Sequence, residues 1–252
     1  PERVLTGRVF SDLRKYPKIV GGVTESCTQA GVVFYSKAIE FDIRNDLPKP
    51  NGVWAMDSSE SAEFVKLAET TYRDVNIGLA NQFARFANSM DLNVHDVITA
   101  ANSQPFSHIH TPGISVGGHC IPIYPQFYLW NDPKATIVSA ARATNSSMPM
   151  HAVELIEAKV GSLNGLNVAV FGISYRPKVK ETAFSGSLEL LKILESIGAN
   201  VYGVDPLYSE SEIESLGFKE LDNPKQIDVI IIHTAHEVFT SFDYSVFTKL
   251  KL

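Results

Sequence analysis

From Leu163 onward, short apolar runs alternate with helical segments, and this alternation restricts the fold more than any other feature of the chain. Asn167–Gly172 (NVAVFG) reads as a buried strand, Ser185–Ile197 as an amphipathic helix and Asn200–Val204 (NVYGV) as a second strand. A short helix near Ser211–Leu216 then precedes Ile227–His233 (IDVIIIH), again a continuous apolar strand. Runs that are apolar throughout are buried on both faces, and strands joined through helices lie parallel in right-handed βαβ units. The expected class is therefore α/β. The end at Lys251-Leu252 reads as falling before a sheet of this kind is complete.

Upstream, the character is helical. Ser58 to about Met90 holds a single glycine, Gly78, and no proline, with Phe64, Leu67, Val75, Leu79, Phe83 and Phe86 at helical spacing. Ser58 or Ser59 can cap its start. A second helix spans about Val94–Asn102, a Gly/Pro-rich loop runs Thr111-Pro-Gly-Ile-Ser-Val-Gly-Gly-His-Cys120, and further helices cover about Pro125–Trp130 and Ala135–Val160. Before them, Lys18–Gly22 reads as a strand ending in a glycine turn, Glu25–Ser36 as a helix, and the stretch to Asn51-Gly52 as a loop. The first residues carry neither an initiating Met nor a signal peptide, and the opening reads as cut from something larger.

Composition narrows the function. With 252 residues there is room for two cores. A net charge of −6 argues against nucleic-acid binding, which needs a basic face. Two cysteines, Cys27 and Cys120, supply no disulfide framework and no cysteine zinc site. The apolar run at Val229–Ile232 is too short to cross a bilayer, and a reducing cytoplasm is the default compartment.

Three features can carry chemistry. Cys120 follows Gly113, Gly117 and Gly118, which let the backbone bend and approach a ligand. At a turn with free N–H groups its thiolate is favoured and becomes a nucleophile; the plain alternative is an inert packed cysteine. Cys27, inside a helical apolar pattern, reads as packing. Lys66 stands among Phe64, Val65, Leu67 and Ala68, and Thr70, Arg73 and Asn76 continue a polar stripe from it along the helix, either a site or a solvated face. The Leu163–Asp205 segment is laid out like a nucleotide-binding half, with strand, Gly172, loop, helix, strand and terminal Asp, yet lacks GxGxxG. Arg176, Lys178 and Lys180 in its loop can meet phosphate oxygens or merely keep the surface soluble.

In order along the chain, Pro1-Glu-Arg-Val-Leu5, Lys66-Leu-Ala-Glu69, Tyr72-Arg-Asp-Val-Asn-Ile77, Pro112-Gly113, Val116-Gly-Gly-His-Cys-Ile-Pro122, Gly172, Arg176-Pro177, Lys180-Glu-Thr182 and Val204-Asp-Pro206 resemble the UDP-glucose/GDP-mannose dehydrogenase family over nearly its whole length. The Tyr72–Ile77 and Gly117–Pro122 segments resemble its branch acting on UDP-N-acetylhexosamines. The resemblance implies three parts: residues 1–56 as the tail of an NAD-binding Rossmann domain, 57–160 as a helical central domain that dimerises through its long helix, and 161–252 as an incomplete Rossmann-like UDP-binding domain. It further implies oxidation of the C6 alcohol of a UDP-sugar to a carboxylate with two NAD+, through a thiohemiacetal and thioester on Cys120. Lys66 would match the lysine that stabilises the oxyanion, Glu2 a glutamate that positions or activates water, and Lys180 a basic position facing the nucleotide. Gly117, Gly118, Arg73, Asn76, Tyr124 and Arg176 complete the expected substrate contacts.

The chain departs from that pattern at three positions. Thr70 replaces an asparagine and is expected to keep a catalytic place by holding a water through its hydroxyl, Tyr124 replaces an aspartate and can still hydrogen-bond, and Phe106 replaces an arginine that a neighbouring subunit donates in many relatives. The favoured reading is a divergent subgroup, because Cys120, Lys66 and Glu2 remain. The alternatives are a nucleotide-sugar-binding or regulatory protein that has lost catalysis, and a dimerisation scaffold built on the long helix.

Overall fold

A computed structural model describes residues 1–251, which divide into two compact units, Pro1–Tyr72 and the chain from Arg73 onward. In the first unit, α1 (Val9–Lys15), β1 (Lys18–Val20), α2 (Glu25–Ala38) and β2 (Val53–Ala55) form a two-stranded parallel sheet with flanking helices. Thr24 caps α2 by accepting from the Cys27 N–H at 3.3 Å. α1 and β2 were not legible in the sequence, being 7 and 3 residues long. Cys27 corrects an expectation: it is exposed on the first turn of α2, with its sulfur 3.1 Å from Thr24 Oγ1.

The long pattern is a single helix, α3 (Ser59–Ser89), which starts where Ser58 Oγ accepts from the Ser61 N–H at 3.1 Å. α4 (Val94–Ala101), α5 (Tyr124–Asn131) and α6 (Thr136–Val160) follow, each within a residue or two of its expected span. Gly78 lets α3 and α6 close on each other, since a Cβ there would lie 3.0 Å from the Ala141 Cα.

The three expected strands form one parallel sheet. β3 (Asn167–Phe171) lies between β4 (Asn200–Val204) and β5 (Val229–Ile232), crossed by α7 (Gly186–Ser196) and α8 (Glu210–Ser215), and α9 (Glu237–Thr240) follows. Alternate residues of β3 serve two cores. Val168 and Val170 pack with Leu190, Leu194 and Val201, together with Val153 of α6; Ala169 and Phe171 pack with Ile227, Phe239 and Phe247 on the other face. No helix among the described residues is long and apolar enough to cross a membrane.

Candidate functional site

The loop carrying Cys120 is fixed along its length. The Cys120 carbonyl accepts from the N–H of Ile123 at 3.2 Å and of Tyr124 at 2.9 Å, so the half-buried cysteine forms the turn that opens α5. Upstream, Gly118 donates its N–H to the Ala183 carbonyl at 2.8 Å. A Cβ on Gly117 would lie 2.6 Å from Tyr175 Cβ, and Gly118 has φ +90° with Tyr175 beside it. These two glycines are required by close approach; Gly113, where a Cβ would meet nothing within 4 Å, is not. His119 Nε2 lies 3.1 Å from Glu181 Oε2, and the Glu181 carboxyl is held below its usual range by that hydrogen bond and by the Ala183 N–H.

The same loop reaches the carboxyl ends of β3 and β5. Ser115 Oγ is 3.3 Å from His233 Nε2, and His233 Nδ1 faces the Gly172 carbonyl at 2.9 Å. Since a carbonyl only accepts, Nδ1 carries the hydrogen and Nε2 accepts from the Ser115 hydroxyl. Burial lowers the His233 pKa, consistent with the neutral ring this arrangement needs. At the start of α7 a Cβ on Gly186 would fall 2.2 Å from Ser115 Oγ, so only glycine lets the loop seat there. With strand order β4-β3-β5, chain order reverses between β3 and β5, which is where open α/β sheets form a ligand crevice.

The expected layout of strand, Gly172, loop, helix, strand and terminal Asp is realised. Gly172 turns with φ +87° beyond β3, but the terminal acid, Asp205, is consumed internally. Its Oδ2 accepts from the N–H of Ile173 at 2.7 Å, the N–H of Ser174 at 2.9 Å and the Ser174 hydroxyl at 2.9 Å, and Oδ1 accepts from the Leu207 N–H at 2.8 Å. Buried at 4% exposure, it ties the turn after β3 to the end of β4 and is not an open hook for a ribose. Of the basic loop residues, Lys180 pairs with Glu212 at 2.6 Å and Lys178 with Glu237 at 3.3 Å, both at exposed positions. Arg176 donates from Nε to the Tyr175 hydroxyl at 3.1 Å.

Sequence reasoning missed a buried polar chain beneath this loop. Arg142 donates to Asp74 Oδ1 at 2.6 Å, and Asn145 donates to the same oxygen at 2.8 Å and to the Asp74 carbonyl at 3.0 Å. Asn81 donates to Asn145 Oδ1 at 2.9 Å and accepts from the Gly113 N–H at 2.9 Å. Asp74, Asn81 and Asn145 are at most 2% exposed. Burial raises the Asp74 pKa against the opposing pull of Arg142 and Asn145. Asn76 is occupied in a similar way, donating to the His108 carbonyl at 2.7 Å and accepting from the His110 N–H at 2.9 Å, while Arg73 is exposed. Tyr124 is half-buried at the start of α5, and Phe106 is 88% exposed.

In the first unit the Glu2 carboxylate pairs with the Lys18 ammonium, which also lies 4.6 Å from the centre of the Tyr35 ring. Lys66 and Thr70 are buried at 7% and 1% exposure, so the beginning of the stripe is not a solvated face. The Thr70 hydroxyl donates back to the Lys66 carbonyl at 2.7 Å, which commits its hydrogen within the helix.

Comparison with known proteins places these features. Residues 60–147 match the model of the UDP-glucose/GDP-mannose dehydrogenase family central domain, and 169–251 match that of the family's UDP binding domain. A UDP-N-acetyl-D-mannosamine dehydrogenase of Methanococcus maripaludis is 35% identical over 95% of this chain and 53% of its own length. The one from Campylobacter jejuni is 31% identical over 93% of this chain and 54% of its own. The solved structure of UDP-D-ManNAc dehydrogenase from Pyrococcus horikoshii superposes with a TM-score of 0.84 at 30% identity, covering 100% of this chain and 58% of that one. The chain thus spans about half the length of the curated relatives it matches. On the two matched domains and the fold they share with these relatives, the chain belongs to the UDP-glucose/GDP-mannose dehydrogenase family.

Proposed function

We propose that this chain is the central and UDP-binding portion of a nucleotide-sugar 6-dehydrogenase that oxidises the C6 alcohol of a UDP-sugar, a UDP-N-acetylhexosamine above all, to the uronate. The observation that supports this most is the seating of the Cys120 loop at the β3–β5 switch point through Ser115–His233 and Gly118–Ala183. A thiol-bearing loop beside a nucleotide crevice suits chemistry on the sugar end of a nucleotide-sugar.

In this reading Cys120 is the nucleophile. The C6 alcohol would first lose a hydride from carbon and its hydroxyl proton to give the aldehyde; the Cys120 thiolate then attacks that carbon, forming a C–S bond while the carbonyl electron pair moves to oxygen, where the Lys66 ammonium would offset the charge. Loss of hydride from that adduct gives a thioester. Water, positioned or activated by Glu2, adds to it and expels the Cys120 thiolate, leaving the carboxylate. Four electrons leave the substrate, and NAD+ would supply the acceptor for both hydrides. The glycines after β1 are spent on internal packing, a Cβ on Gly21 falling 2.0 Å from the Ser58 carbonyl oxygen. No contact with NAD+ is therefore assigned to this chain, which by itself would not turn over.

We further assign residues 1–56 to the tail of an NAD-binding domain, 57–160 to the central domain and 161–252 to the UDP-binding domain, working in the cytoplasm. A homodimer through α3 is supported by its exposed Leu79, Phe83 and Phe86.

Calorimetric titration with UDP, UDP-N-acetylmannosamine, UDP-N-acetylglucosamine and UDP-glucose tests the proposal, with alkylation of Cys120 followed in parallel on a Cys27→Ser background. UDP or UDP-sugar binding that slows alkylation is the expected result. Tight UDP binding with an unreactive Cys120 would favour a nucleotide-sugar-binding protein that has lost catalysis.

A further inference from the structure

We propose that Asn81 and Asn145 are positioning residues for the Cys120 loop, transmitting the packing of the two long helices to Gly113 near the start of that loop. The proposal deepens the preceding one, and its bearing on catalysis rests on Cys120 being the nucleophile.

The argument begins with where hydrogen bonds are strongest. α3 and α6 meet at Gly78 and Ala141 with no room for a larger side chain, so their spacing is rigid. Into that seam project Asp74 and Asn81 from α3 and Arg142 and Asn145 from α6. Asn145 is fully engaged: its amide donates twice to Asp74 and its oxygen accepts from Asn81. This fixes the Asn81 amide group, with its nitrogen toward Asn145 and its oxygen outward. The outward oxygen receives the Gly113 N–H at 2.9 Å.

Gly113 itself makes no steric demand, since a Cβ there would meet nothing within 4 Å. Its position is therefore set by the hydrogen bond, in contrast with Gly117, which is set by contact with Tyr175. Six residues separate this anchor from Cys120, and the intervening attachments all belong to the sheet domain: Ser115 to His233, Gly118 to Ala183, His119 to Glu181. Asn81 thus references the loop itself to the helices, while Asn76 holds His108 and His110 just before it. Removing it leaves the Gly113 N–H and the Asn145 oxygen without their partner, and removing Asn145 frees the Asn81 amide to rotate.

The test compares Asn81→Ala, Asn145→Ala and the double variant in the Cys27→Ser background. Deuterium exchange is followed in residues 113–120, and the rate of Cys120 alkylation by iodoacetamide is measured. Each single variant is expected to raise exchange in that segment about tenfold, equivalent to about 1.4 kcal/mol, and to speed alkylation in step. Exchange in β3 and α7 should stay unchanged, and the double variant should do no more than the larger single one, because both act through one chain of bonds. Exchange within twofold of the parent in a folded Asn81→Ala, or additive effects in the double variant, would overturn the proposal. Asn81→Ser and Asn145→Ser carry the same expectation if the alanine variants do not fold. Neither readout requires turnover, so failure of the dehydrogenase assignment would appear separately, as absence of UDP binding in the parent.

Discussion

His119 and Glu181 face each other across 3.1 Å, and through them the residue next to Cys120 is fastened to the turn that leads into α7. The other Glu181 oxygen accepts from the Ala183 N–H at 3.0 Å, and the Ala183 carbonyl holds Gly118. The folded state thus depresses the Glu181 pKa, mainly through His119. A carboxyl with a lowered folded pKa contributes stability that is present above its ordinary value of 4.5 and is lost as pH falls through the lowered one. The amide chemical shifts of Gly118 and Ala183 should therefore move together in a single acid transition below pH 4.5. Glu181→Gln keeps the acceptor for Ala183 but cannot titrate, and should abolish that transition. Its persistence in the variant would assign it to another group.

Two glycines of the same loop should respond oppositely to one methyl group. Gly117→Ala forces a Cβ to within 2.6 Å of Tyr175 Cβ and 3.0 Å of the Phe184 carbonyl, neither of which is the free end of a flexible side chain. A loss of about 1–3 kcal/mol in urea unfolding is expected, as for other overpacked sites. Gly113→Ala meets open space and should stay within about 0.5 kcal/mol of the parent. Equal effects of the two substitutions would show that contact with Tyr175 does not set the course of the loop.

These contrasts mark what a sequence can disclose. The parallel sheet was legible because β3, β4 and β5 are short apolar runs set between helical segments, and α3 because its periodicity persists through 31 residues. The glycines before Cys120 marked a tightly packed loop, which Gly117 and Gly118 make against Tyr175, and the ordered motifs carried the resemblance to the family. The partners of the loop were not legible, because each contact joins residues far apart in the chain: Ser115 and His233 differ by 118 positions and Asn81 and Asn145 by 64. The internal role of Asp205 was hidden for a related reason, since its carboxylate accepts from the backbone N–H groups of Ile173 and Ser174, 32 and 31 positions away. Periodicity assigned Cys27 to packing, whereas the turn that Thr24 caps leaves it exposed.

Lys180 offers a test of how the UDP crevice is poised. It pairs with Glu212 at 2.6 Å, and that contact holds the Glu212 carboxyl down at about 2. A lysine that meets a phosphate must first leave this partner. Glu212→Gln keeps the oxygen that accepts from the Ser209 N–H at the start of α8 while removing the charge that retains Lys180. UDP should then bind roughly two- to fivefold more tightly, the scale expected for releasing one exposed pair. Unchanged or weaker binding in calorimetry would place Lys180 away from the nucleotide.

Asp74 should leave the opposite pH signature from Glu181. Burial raises its folded pKa above the ordinary 3.8, although Arg142 and Asn145 pull the other way. The folded state then holds the proton more tightly than the unfolded chain does. Stability from this group is fully present below pH 3.8 and declines as pH rises through the raised folded value. Asp74→Asn retains an oxygen for Arg142 and Asn145, so its urea midpoint should lack the decline that the parent shows above pH 3.8. Arg142→Ala works on the same carboxylate from the other side. It leaves a side chain with 0% exposure charged and without its counter-ion, and should cost about 3–5 kcal/mol at neutral pH. That loss should shrink toward pH 4, where protonation of Asp74 removes the charge that Arg142 had balanced. A loss that stays constant between pH 4 and 7 would mean that Arg142 contributes by packing its aliphatic stem and not by pairing with Asp74.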